Sequence, residues 1–152
     1  MPEGPETHRM SDNIKKSLKG KNILSFKFEH KALYPLRDLK HIAIVDVYSL
    51  GKAIIIRLKN DMSIISHNQL YGKWTFNRPS TNINNNRQLR LEFITKAKAV
   101  RLWSATDISL YQTNMEMGHP YLSKIGPDVL DINTNQSVIL SQLRSKKGWN
   151  RQ

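Results

Sequence analysis

Residues 41 to 66 read HIAIVDVYSLGKAIIIRLKNDMSIIS. The first run carries Ile42, Ile44, Val45 and Val47, a β-rich composition. Gly51-Lys52 then makes a turn, and Ala53 to Leu58 is a short, nearly continuous apolar strand of the kind buried in a sheet. Asn60-Asp61 turns the chain back into residues 62 to 66. Short strands separated by turns, about ten residues apart, predict an antiparallel sandwich or barrel and not βαβ units.

The pattern extends in both directions. Upstream, residues 22 to 29 alternate, with Leu24, Phe26 and Phe28 assigned to one face, and residues 30 to 40 read as a loop holding Pro35. Before them, residues 4 to 19 read as a helix with Met10, Ile14 and Leu18 as its apolar stripe. Lys15, Lys16 and Lys19 suit its C-terminal dipole, and Gly20 its cap. Downstream, Trp74 with Phe76, Leu89 with Leu91 and Phe93, and Val100 with Leu102 mark further strands. Pro79 to Arg87 is a polar, Asn-rich surface loop. Residues 119 to 131 mix turn signals with apolar anchors, 136 to 143 read as a helix, and the chain ends on a basic stretch. The predicted class is therefore α+β, mainly β: an antiparallel β-sandwich flanked by an N-terminal helix and a C-terminal helix.

Composition narrows the partners. At 152 residues with 39% hydrophobic content, the chain is long enough to bury a core as one domain. No apolar run approaches the length of a membrane span, and no secretory signal is read. Without cysteine, neither a disulfide nor a cysteine-ligated zinc is possible within these residues. Lys and Arg total 24 against 12 acidic residues, a net charge of +12. Spread along the chain, that excess predicts a basic face for a polyanion, nucleic acid first.

The N-terminus, Met1-Pro2-Glu3-Gly4-Pro5-Glu6, has two readings. Proline and glutamate in a first turn are ordinary helix-start residues. Once Met1 is removed, however, Pro2 carries a free secondary amine able to attack an aldehyde-level sugar carbon, with two carboxylates close by in sequence. An α-amino group titrates at about 7.7–8, so a useful fraction is neutral near pH 7. His67 has no neighbour at metal-ligand spacing, so no metal site is read.

Five segments together resemble the formamidopyrimidine-DNA glycosylase and endonuclease VIII family of base-excision repair enzymes. They are the N-terminal hexapeptide, Gly51-Lys52-Ala53, Ser66-His67-Asn68-Gln69-Leu70-Tyr71-Gly72, Ser104-Ala105-Thr106-Asp107 and Gly126-Pro127-Asp128-Val129-Leu130. The Gln69-Leu70-Tyr71 loop resembles the endonuclease VIII branch, which implies oxidised pyrimidines as lesions. The resemblance implies Pro2 as Schiff-base nucleophile, Glu3 as general acid/base, Glu6 in support and Lys52 in the active site near the phosphate. It implies that His67 and Asn68 lead into a loop whose Gln69, Leu70 and Tyr71 fill the hole left by a flipped nucleotide. Lys73, Arg87, Arg90, Lys96, Lys98 and Arg101 are phosphate candidates by charge.

The implied protein is a bacterial cytoplasmic, nucleoid-associated monomer that acts on double-stranded damaged DNA. The expected division is a catalytic domain over residues 1–134, then a helix and linker over 135–152. The family's helix–two-turn–helix and zinc ribbon are absent from these residues, so no cofactor is expected in this chain. Two other readings stay open: a phosphate-binding sandwich without chemistry, and a stable fragment without activity.

Overall fold

The structure is a computed structural model that describes residues 4–67, 72–80 and 87–125. Its first element, helix α1 (Gly4–Leu18), turns Thr7, Ser11, Ile14 and Leu18 inward at helical spacing. Gly20 closes it at φ 71°, and its N–H donates to the carbonyl of Ile44. The late lysines do more than suit the dipole, since Lys15 and Lys19 reach Asp46 at 3.3 and 3.8 Å.

Eight strands form two antiparallel sheets of four. One sheet runs β1-β6-β7-β5, made of β1 (Ser25–Phe28), β6 (Leu89–Ile94), β7 (Ala99–Trp103) and β5 (Lys73–Asn77). The other runs β2-β3-β4-β8, made of β2 (Ile44–Leu50), β3 (Ala53–Leu58), β4 (Met62–His67) and β8 (Ile108–Gln112). The predicted sandwich with its N-terminal helix is the fold observed.

The apolar continuity of β3 has a simple cause. Ile54 and Ile56 enter the main core with Phe28, Trp74, Phe93, Val100 and Leu102 from the opposing sheet and Ile14 and Leu18 from α1. Ala53 and Ile55 point the other way, into a second core with Tyr48, Leu50, Ile65 and Leu122. A 3-10 helix, Thr113–Gly118, and a short helix over 120–125 cover that second face. Covered on both sides, β3 needs no polar face.

A buried ionic network fastens this cover. Glu116 is 3% exposed and accepts from Arg57 through both carboxylate oxygens at 2.9 Å, from Tyr48 Oη at 2.5 Å and from Ser63 Oγ at 2.5 Å. Burial opposes the guanidinium charge of Arg57, but Tyr48 and Glu116 outweigh it and hold its pKa above the ordinary value.

Four local expectations need correction. Residues 31 to 38 are a 3-10 helix, Lys31–Asp38, that buries Leu33 and Leu36, because their spacing of three suits a 3-10 turn. Leu24, assigned to the core face, is 59% exposed, since β1 begins only at Ser25, opposite Ile94 near the end of β6. Strand β8, which no strong alternation announced, completes its sheet by pairing with β4. Finally, the turn-rich segment from 119 contains the short helix over 120–125. The helix expected over 136–143, and the boundary near 134, lie outside the described residues.

Candidate active site

Pairing tells which ends of the elements meet. Gly20 bonds to Ile44 at the start of β2, whereas His8 Nδ1 lies 3.3 Å from Ser49 Oγ near its end. Helix α1 therefore runs antiparallel to β2 and brings its first turns to the β2–β3 turn. Glu6 sits there, exposed, in the first turn of α1. Pro2 and Glu3 lie outside the described residues.

Leu50 pairs with Ala53, so Gly51 and Lys52 form a two-residue hairpin turn. Gly51 has φ 58°, as the first central position of a type II′ turn requires. Lys52 is half-buried, and its backbone N–H donates to Tyr121 Oη at 2.9 Å. A Cβ on Gly51 would lie 2.4 Å from that same hydroxyl. Glycine is therefore required twice, by its dihedral and by its neighbour.

The register Ala53↔His67 places the end of β4 beside this turn. The His67 ring stacks on the Tyr121 ring, with centroids 4.0 Å apart and planes 22° off parallel. His67 Nδ1–H donates to Asp107 Oδ2 at 3.2 Å. Its backbone N–H donates to the Asp107 carbonyl. The other Asp107 oxygen faces His119 Nε2 at 4.0 Å, while His119 Nδ1 accepts from the Tyr121 N–H at 3.0 Å. Burial lowers the His119 pKa, Asp107 works against that, and His67 adds to the lowering.

Asp107, His119 and Tyr121 thus hold both the Lys52 turn and His67, the last residue of β4. Asn68, Gln69, Leu70 and Tyr71 lie outside the described residues. Sequence reasoning assigned no site role to Asp107, His119 or Tyr121. They come from two separate segments, and the available signals were Asp107 at the end of the Ser104-Ala105-Thr106-Asp107 segment and His119 and Tyr121 flanking Pro120 within a stretch read as turns.

The basic candidates divide by position. Lys73 is exposed and pairs in register with Trp103 at the same end of the sandwich; Leu89 also faces Trp103, and exposed Arg87 stands just before it. Arg90 is half-buried. Arg101 is committed to buried Glu92, with Nε–H donating at 2.6 Å. Lys96 and Lys98 belong to the β6–β7 turn at the opposite end, one β-strand length away, about 17–20 Å. Among the described residues, no group of three or more His, Asp or Glu is placed to hold a metal ion.

An α-helix followed by two four-stranded antiparallel sheets is the fold of the N-terminal half of the formamidopyrimidine-DNA glycosylases. A complex of wild-type Lactococcus lactis Fpg (MutM) with N7-benzyl-Fapy-dG containing DNA superposes with a TM-score of 0.65 at 20% identity, covering 81% of this chain and 48% of that one. MutM in complex with carbocyclic 8-oxo-G containing DNA gives 0.69 at 18% identity, covering 95% and 57%. The model of the formamidopyrimidine-DNA glycosylase N-terminal domain matches residues 1–106, and this chain belongs to that family. Endonuclease 8 of Escherichia coli K12 (strain DH10B) is 36% identical over 155 residues, covering 100% of this chain. The Escherichia coli 55989 homologue is 37% identical over the same span. The chain spans 58% of the length of these relatives.

Proposed function

We propose that this chain is the catalytic domain of a bifunctional DNA glycosylase/AP lyase that removes oxidised pyrimidines from double-stranded DNA. One observation carries the reading: the start of α1, the Lys52 turn and the His67 loop head converge at one end of the sandwich. In this reading residues 1–134 form the catalytic unit, acting on bacterial DNA as a monomer.

With Met1 removed, the Pro2 nitrogen lone pair attacks C1′ of the flipped nucleotide, and the glycosidic bond breaks as the base leaves with a proton. Glu3 protonates the ring oxygen, the sugar opens, and nitrogen and C1′ form an iminium ion. The iminium acidifies C2′. Loss of that proton expels the 3′ phosphate, and a second elimination expels the 5′ phosphate. Glu6 supports these proton transfers from the next turn of the helix. Lys52 acts as a point charge on a phosphate, with Lys73 and Arg87 extending the basic track. Gln69, Leu70 and Tyr71 occupy the vacated stack while His67, Asn68 and the Asp107 tether hold the loop base. These steps use an amine, carboxylates and ammonium groups, and call for no cofactor held by this chain.

The test is reductive trapping. The Met1-free chain is incubated with a thymine-glycol or abasic-site duplex and borohydride. A covalent protein–DNA adduct is expected, absent from Pro2→Gly. Failure to trap with an intact Pro2 amine, while the duplex still binds, refutes the catalytic reading and leaves a DNA-binding domain.

A further inference from the structure

A concave site lies at the end of the sandwich away from the Lys52 turn. A pocket of about 460 Å³ opens between the C-terminal end of α1, the start of β1 and the β6–β7 turn. Lys16, Lys21, Lys96 and Lys98 ring it, and Leu24 and Ala97 give it an apolar surface. Leu24 is 59% exposed, the greatest exposure of any large hydrophobic side chain among the described residues. No carboxylate lines the pocket. The contrast with the neighbouring turn of α1 is informative: Lys15 and Lys19 share Asp46, whereas none of the four pocket lysines reaches a carboxylate among the described residues.

One wall is pre-formed. Thr95 is 4% exposed; its Oγ1 accepts from the backbone N–H of Ala97 and Lys98 at 3.3 and 3.0 Å, and its own N–H donates to the Lys98 carbonyl at 2.8 Å. This side-chain-locked turn fixes the backbone that carries Lys96 and Lys98.

We infer that this pocket is a docking site for an acidic peptide segment that inserts an apolar side chain between the lysines. The four ammonium groups supply charge complementarity without a competing carboxylate, and the lysine stems, Leu24 and Ala97 form an apolar seat for the anchor. A phosphodiester track has no group to fill such a seat, and no aromatic side chain lines the pocket for a base to stack on. The location agrees. Helix α1 is 15 residues long, about 22 Å, and its other end belongs to the candidate active site. A duplex seated across that end leaves this pocket open to a protein partner. The inference is independent of the proposed reaction.

The experiment pans a random phage-displayed peptide library on the full chain at about 150 mM salt, where loose charge attraction is screened. Enriched peptides are expected to combine Asp or Glu with Leu, Ile or Phe. The strongest, synthesised with a fluorophore, should bind Lys16→Gln/Lys21→Gln about tenfold more weakly, as expected for two lost charge contacts, and Leu24→Asn similarly. Circular dichroism and thermal melts should show that both variants fold, and their affinity for a labelled duplex should stay within about twofold of wild type. Absence of enriched peptides, enrichment without acidic residues, or equal binding to the variants overturns the inference. So does loss of duplex affinity in the variants, which would make this a nucleic-acid surface.

Discussion

Replacing Gly51 with alanine tests whether Tyr121 is the fastener of the Lys52 turn. The added Cβ meets two costs. A φ of 58° disfavours an L-residue by about 1–2 kcal/mol. The Cβ also falls 2.4 Å from Tyr121 Oη, so the tyrosine must move. Moving it sacrifices the bond from Lys52 N–H, about 0.5–1.5 kcal/mol, and weakens the stack on His67, about 0.5–1.5 kcal/mol. The expected loss is about 3 kcal/mol, or about 6–12 °C in Tm for a domain of this size. Tyr121→Phe alone removes one hydrogen bond and should cost about 1 kcal/mol. In the double variant the hydroxyl is gone and the nearest atom is the ring Cζ at 3.3 Å, a contact that small adjustments absorb. Gly51→Ala/Tyr121→Phe should therefore be at least about 1 kcal/mol more stable than the sum of the single effects predicts. Urea unfolding of the four proteins measures that coupling. Additivity to within about 0.5 kcal/mol would show that the hydroxyl is not what forbids a side chain at position 51.

Three further outcomes are expected. Glu116→Ala leaves the Arg57 guanidinium buried without its carboxylate and should destabilise by about 3–5 kcal/mol in urea unfolding, while Glu29→Ala, which breaks an exposed pair with Arg37, should cost under about 1 kcal/mol. Burial lowers the folded-state pKa of His119, so the unfolded chain takes up its proton first as pH falls through about 6.5. Stability should thus decline with falling pH from about 7 down to the folded-state value, with a slope of at most about 1.4 kcal/mol per pH unit from this group, and His119→Asn should remove that component of the pH–stability curve. Asp107→Asn removes the charge that orients His67; trapping on a lesion duplex should slow by about tenfold, with duplex affinity little changed and far-UV circular dichroism intact.

The sandwich was legible because its signals are local. Alternation at Phe26 and Phe28, the solid run from Ala53 and the glycine of the Gly51-Lys52 turn each state a conformation within a few residues. The double burial of β3 was legible too, as the missing polar face. Proline at 35 disguised a 3-10 helix as a loop, and alternation alone could not show that the Leu24 side chain stays outside the core. In the candidate site, Glu6, Lys52 and His67 were marked by resemblance and chemistry. Their holders were hidden, because Asp107 and Tyr121 act 40 or more residues away from His67 and 69 residues away from Lys52. Charge counting had a similar limit: Arg101 and Lys73 look alike in the sequence, yet one is neutralised by Glu92 and the other is exposed.

Asp46 and Ile44 grip α1 by its last turn, and that gives the helix a fixed origin from which its residues are measured. Every position toward the N-terminus is reckoned from this anchor in steps of about 1.5 Å and about 100°. Deleting a single residue from the exposed side of the helix, Asn13 for example, would leave the anchor in place but draw Glu6 back by one step and swing it round by more than a quarter turn. Side-chain identity at the start of the helix would be unchanged, yet its aim would be lost. The length of α1 is thus itself a specification, which a point-substitution scan of its surface would never reveal.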